Sequence, residues 1–307
     1  MTTIDFKAIK ASPTVSKICM IVSAISMGHV GIIISFLDKF NVLTIVLIRG
    51  LFGTLFLTLF LLKSNSLKWD FLKESLKIHW KELLIIGFMN PLIILFYFIN
   101  IILTGYSFAA FLLYTGPMFF LLFLILSREE KVSKVNVLNF LLAVVGVAII
   151  MEFWNGNALL SGTFSGILSG LTLGILIYYK KKIYITRKNL ENIFKSQGDF
   201  DTFLAWWPNL FIIFMFLPLS IYDLMLFSFF DLIIALILGL FPTALAFLLY
   251  NIGIKNDKGG NIVILSYIEP VTATILNIIV LKSLSIFTII GGSLILVANL
   301  FVLKYSS

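Results

Sequence analysis

Charged and titratable side chains are scarce in this chain, and those inside long apolar runs are the ones that could do chemistry. Arg49 lies about seven residues into a run that begins at Val42. If that run spans a bilayer, Arg49 sits roughly 10 Å below one surface at 1.5 Å per residue. Glu269 lies about eight to ten residues into a later run, near the midplane on the same arithmetic. An isolated charge at a bilayer centre costs at least about 2.5–3.5 kcal/mol, so each needs a reason. One reading has them face a cavity, Glu269 as a cation or proton site and Arg49 as an anion site. The other is structural: Arg49 satisfies helix-end carbonyls or reaches outward, and Glu269 bonds where Pro270 removes a backbone donor. His29, midway along the first run, either titrates near neutral pH or hydrogen-bonds a cavity group.

Aromatic and amide side chains accompany these charges. Tyr97, Asn100, Tyr114, Trp206, Trp207, Asn209, Tyr250, Tyr267 and Asn277 are candidates to line a cavity. Aromatic faces would suit a cationic or amphipathic solute. Core packing, or an interfacial belt for Trp206 and Trp207, is the competing reading of each. Catalytic patterns are not found. The two histidines, His29 in an apolar run and His79 in a polar loop, form no His-Glu-x-x-His, and no Gly-Lys-Ser/Thr phosphate loop occurs. The apolar runs hold no acidic cluster for a metal, and Cys19 is the single cysteine, which excludes a disulfide framework. Neither an enzyme nor an ATP-driven pump is expected, and no cofactor or metal is called for.

The elements that carry these residues follow from composition. Of 307 residues 60% are hydrophobic and 12% charged, with mean hydropathy +1.07. Soluble chains carry roughly 45–50% and about 25%, so a soluble domain is excluded. Ten apolar runs can be marked: 15–36, 42–62, 83–103, 108–126, 135–151, 162–179, 202–222, 229–251, 261–281 and 286–303. Most match the roughly 20 residues needed to cross a bilayer. The first is preceded by Lys7 and Lys10 and holds Lys17. It is too long for a signal peptide and lacks a small-x-small cleavage site, so it reads as a retained helix.

The net charge of +8 reports orientation. With the N-terminus in the cytoplasm, the inner segments hold Lys7, Lys10 and Lys17; Lys63, Lys68, Lys73, Lys77 and Lys81; Arg128, Lys131 and Lys134; Lys180, Lys181, Lys182, Arg187, Lys188 and Lys195; Lys255 and Lys258; and Lys304. The outer segments hold Lys39 and Lys282. Such asymmetry predicts ten helices with both termini cytoplasmic in the plasma or inner membrane, and no nucleic-acid partner is needed to explain the charge. Within the inner loops, Trp69, Leu72, Leu76 and Trp80 recur at helical spacing between lysines and glutamates. They form either an amphipathic surface helix or a solvated loop. The basic stretch 180–201 reads as a linker between halves.

Small residues and prolines punctuate the helices. Gly162, Gly166, Gly170 and Gly174 repeat every four residues, one face of a helix that allows close approach. Ala24, Gly28, Gly31 and Ser35 give a looser counterpart in the first helix. The face serves either tight packing or a sliding surface. Pro91, Pro117, Pro208, Pro218, Pro242 and Pro270 are expected inside helices, as kinks, hinges or exposed backbone.

A repeat emerges. Tyr114-Thr115-Gly116-Pro117 recurs as Tyr267-Ile268-Glu269-Pro270, Gly87 matches Gly239 and Asn100 matches Asn251, all at an offset of about 150 residues. Two five-helix halves follow: a first repeat over 1–151, helix 6 and the basic linker within 152–201, and a second repeat over 162–307. An odd number of helices per half inverts the second, a recurrent design of secondary transporters.

These residues resemble the drug/metabolite transporter superfamily, specifically its EamA branch. The likeness rests on Leu47-Ile48-Arg49-Gly50, on Gly116-Pro117 with 127–133, on Val144-Val145-Gly146-Val147, on Glu269-Pro270 with 281–285, and on Gly291-Gly292. The tryptophan often found in the family's first helix is missing near Met27-Gly28-His29, and the acidic residue of the second turn is replaced near Lys282. The resemblance implies an all-helical integral membrane carrier with a central cavity, partly lined by helix 1, that moves small organic metabolites without ATP. Amino acids, amines or similar amphipathic solutes fit. The expected partners are that solute, the lipid bilayer and, where coupled, protons, with the chain a monomer or homodimer. A channel or receptor, and a lipid-modifying membrane protein, are the alternatives.

Overall fold

Apolar sequence of this length has one inexpensive solution in lipid, the α-helix, which satisfies its own backbone. The computed structural model describes residues 12–64, 66–104, 109, 112–128, 132–150, 154, 160–189, 199–220, 222–281 and 286–305, and no strand occurs among them. Among the described residues six helices are long and apolar enough to cross a membrane, and four shorter apolar ones complete ten. They are α1 (Pro13–Ser35), α2 (Val42–Lys63), α3 (Trp69–Thr104), α4 (Gly116–Ser127), α5 (Lys134–Ile150), α6 (Leu160–Asn189), α7 (Phe200–Ser220), α8 (Phe229–Lys255), α9 (Ile268–Leu281) and α10 (Ile286–Tyr305).

Local sequence sets the ends. Ser12 caps α1 by accepting from the Val15 N–H at 3.3 Å, with Pro13 in the first turn. Asn41 accepts from Thr44 N at 2.9 Å to start α2. Ser228 and Asp231 form a reciprocal capping box at the start of α8. Three helices are interrupted. Helix α1 breaks between Met27 and Val30. Helix α3 departs from helical backbone at His79. Helix α8 opens into a π turn over Leu240–Leu245, where Pro242 cannot donate to the preceding turn.

Several expectations change. The stretch 69–78 is helical, as one of the two readings expected, and meets the apolar part of α3 across the kink at His79. Its Phe71 face packs on Phe200 and Phe203 of α7, while Trp69 and Trp80 stay exposed. His79 lies buried at that kink, where the backbone is not helical. Helix α6 continues past Tyr179 to Asn189, so Lys180 and Lys181 lie on a packed helix and not in a solvated linker. Pro117 and Pro270 sit in the first turns of α4 and α9, where a missing N–H costs little, and are not interior kinks. Pro91, Pro208, Pro218 and Pro242 are interior, as expected.

Helix pairing follows the small residues. Helix α3 packs on α6, α1 on α8, α2 on α7, and α5 on α10; α4 and α9 lie against α6 and α1. Lipid gives no hydrophobic drive for such pairing, so close approach and interhelical hydrogen bonds carry it. On α6, an added Cβ at Gly166 would strike Asn100 and Leu112, and one at Gly170 would strike Thr115. One at Gly174 would meet Phe119 Cβ at 2.6 Å. Gly162 is buried on the same stripe. On α1 the buried stripe is Ser16, Met20, Ala24 and Gly28, while Gly31 is half-buried and Ser35 exposed. The expected face through Gly31 and Ser35 is therefore turned, because α1 breaks after Met27. Its serines zip onto α8 carbonyls: Ser16 to Ile252 at 2.9 Å, Ser23 to Ala246 at 2.7 Å and Ser26 to Phe241 at 2.9 Å.

Candidate functional site

The π turn of α8 creates the first feature of the site. Pro242 leaves the Leu238 carbonyl without its usual donor, and the Thr243 hydroxyl supplies one at 2.8 Å. Arg49 then takes what the irregular turn exposes. Its Nε donates to Thr243 Oγ1 at 3.2 Å and its Nη2 to the Pro242 carbonyl at 3.3 Å. Its guanidinium lies 5.4 Å from the Phe247 ring centroid. Two carbonyls of this turn thereby gain a side-chain donor, Pro242 from Arg49 and Phe241 from Ser26.

Glu269 lies within electrostatic reach of Arg49. The Tyr114 hydroxyl donates to its carboxylate, and the Arg49 charge acts on it. Its own charge reaches Tyr250. So Arg49, Tyr114, Tyr250 and Glu269, named from α2, the start of α4, α8 and α9, converge on one region.

A second polar layer lies toward the C-terminal ends of α6 and α8. Lys180 Nζ donates to Asn251 Oδ1 at 2.9 Å and stands 5.9 Å from the same Phe247 ring. Lys181 pairs with Asp257 at 3.9 Å. Asp257 also accepts from the backbone N–H groups of Gly260 (2.9 Å), Ile262 (2.7 Å) and Val263 (3.0 Å), and so caps the turn that leads into α9. Gly260 holds a φ of +85°, which glycine tolerates and which lets its N–H reach that carboxylate. Burial pushes the Asp257 carboxyl up, opposed by Lys181 and the three N–H donors. Asp201 accepts from the Tyr184 hydroxyl at 2.8 Å and from Lys255 at 3.2 Å. At the other end of α8, Lys39 pairs with Asp231, and Asn41 and Thr44 bond Asp223, tying the α1–α2 turn to the start of α8.

Residues 15–152 and 194–304 match the EamA-like transporter family. The chain belongs to the EamA-like transporter family. It is thereby a multi-pass membrane protein of the drug/metabolite transporter superfamily, transporter-like in kind. A protein crystal structure superposes on it with a TM-score of 0.70 at 16% identity, over 95% of this chain and 99% of the other. At that identity the likeness concerns the fold alone. No curated protein sequence matches.

The EamA-matched segments contain Arg49, Tyr114, Tyr250 and Glu269, whereas Lys180, Lys181 and Tyr184 lie between them. Other anticipated residues are engaged elsewhere. His29 is exposed and its Nδ1 lies 2.8 Å from the Ile25 carbonyl of its own helix. Trp206 donates to Thr58 at 2.8 Å and Trp207 to the Leu83 carbonyl at 2.8 Å. Asn209 is buried and donates to Ala205 O at 2.8 Å. Asn100 is buried against Gly166, Tyr97 stacks beside Phe98, and Tyr267 is buried edge-on to Phe140. The Asn277 side chain lies outside the described residues. Thr243, Phe247, Lys180 and Asp257 were not singled out from sequence. Only Lys180 left a trace there, as the first of three lysines that resemble a helix end.

Proposed function

We propose that this EamA-family chain is a secondary carrier of a small organic metabolite, an amino acid, amine or similar amphipathic solute. Two inverted five-helix repeats move it by alternating access, without ATP. The repeats span 1–151 and 162–307, with both termini cytoplasmic in the plasma or inner membrane.

The observation that carries this reading is a reciprocal contact. A Cβ at Gly28 of α1 would meet Thr272 Cβ at 2.7 Å and the Glu269 carbonyl at 3.0 Å. A Cβ at Gly174 of α6 would meet Phe119 Cβ at 2.6 Å and the Gly116 carbonyl at 3.0 Å. Along the sequence repeat, Glu269 stands to Gly116, and Thr272 to Phe119, as Tyr267 stands to Tyr114. The same α1–α9 contact is thus rebuilt as α6–α4. Two further glycines behave alike: Gly87 of α3 abuts Phe211 of α7, and its mate Gly239 of α8 abuts Phe52 of α2. Halves packed by equivalent contacts can exchange conformations, which exposes the site at their interface to each side in turn. The break in α1 and the π turn in α8, joined by Ser26, are suited to act as its hinges.

Purified protein in liposomes is expected to take up its solute with saturation and without nucleotide. Current that rises linearly with ion concentration, with no saturable solute flux, would replace the carrier by a channel.

A further inference from the structure

The buried Lys181 pairs with Asp257, the half-buried Arg49 feels the Glu269 charge, and the exposed Lys255 pairs with Asp201. Lys180 differs. Its side chain is as buried as that of Lys181, at 4% exposure. Among the described residues no carboxylate lies within 4.0 Å of its Nζ. An ammonium has three donors; this one reaches a single amide oxygen, Asn251 Oδ1, and the face of Phe247. Both nearby acids are committed, Asp257 to Lys181 and three N–H groups, Asp201 to Lys255 and Tyr184. A cation withdrawn from water with one neutral acceptor is a standing cost to the fold. Its place beside the ring that Arg49 also approaches puts it next to the Arg49–Glu269 region.

We infer that Lys180 is the docking group for an acidic moiety of the transported solute, a carboxylate or phosphate held against Lys180 beside Phe247. This rests on the carrier reading and narrows it to solutes that bear an anionic group. Such oxygens supply the charge and the additional acceptors that the ammonium lacks. Because Lys180 lies outside both family-matched segments, the preference is a property of this chain and not of the family pattern.

The test is ligand-induced thermal shift, with dissociation constants, on full-length protein in phosphatidylcholine nanodiscs. The probes are matched pairs: L-phenylalanine with its amide, succinate with succinamide, and glycerol 3-phosphate with glycerol. At least one anionic member is expected to stabilise the wild type while its uncharged partner does not. Lys180→Met is expected to weaken that binding tenfold or more without lowering the ligand-free Tm as Lys181→Met does. Lys180→Arg, which keeps the charge, is expected to retain it within about threefold. Lys181→Met should lower Tm yet keep the ligand response. Equal binding by wild type and Lys180→Met, or no anion-selective binding by wild type, would overturn the inference. So would a Lys180-dependent shift produced only by adding phosphatidylglycerol, which would make the partner a lipid headgroup. Saturable uptake of uncharged solutes that is indifferent to Lys180 would remove the inference and leave the carrier standing. Lys180-dependent anion binding without uptake would do the reverse.

Discussion

Asp257 neutralises Lys181 and caps the turn into α9 with the same carboxylate. Removing it would take this counter-charge from a buried ammonium and the shared acceptor from three buried N–H groups together. Asp257→Ala is therefore expected to lose about 3–5 kcal/mol of stability, the range for breaking one side of a buried pair. Asp257→Asn, which keeps an acceptor oxygen, should lose less. Lys181→Met combined with Asp257→Asn should be more stable than Lys181→Met alone, since no unpaired carboxylate remains. Unfolding of each variant in detergent checks this order, and an additive double variant would contradict the pairing. At this scale the sequence reveals individual charges and hides their partners. Arg49 and Glu269 stand out because a membrane penalises any charge within an apolar run. Thr243 and Asp257 do not, because part of what each does depends on a cation far away in sequence, Arg49 and Lys181.

Glycines set how closely the helices approach, and the structure separates those under contact from those that are not. Gly28→Val and Gly174→Val would drive side chains into Thr272 and Phe119 across the two equivalent crossings. Each is expected to cost about 1–3 kcal/mol through overpacking, seen as lost monodisperse yield and lowered Tm. Gly292 has nothing within 4 Å of a Cβ, so Gly292→Ala should be neutral or slightly stabilising by helix propensity. Comparable losses at all three sites would contradict the packing account. The four-residue glycine spacing of α6 was legible because period and residue type alone define a helix face. The matching stripe of α1 was not, since Ser16 and Met20 occupy two of its places and the break after Met27 redirects the rest. The length of α6 was misread for a related reason. Lys180–Lys182 look like residues at a membrane interface, and only the tertiary partners of Lys180 and Lys181 explain their burial.

At the scale of the whole molecule, ten helices and their order were legible because lipid demands long apolar runs. The proposed repeat rests on a few residues, and the reciprocal glycine contacts support it. Exchange between two equivalent packings is the basis of the carrier reading, and its signature is counterflow. Liposomes preloaded with a high concentration of unlabelled solute are expected to accumulate labelled solute transiently above equilibrium, because a returning carrier brings external label inward. Label that merely equilibrates, at a rate indifferent to the internal solute, would contradict alternating access between inverted halves.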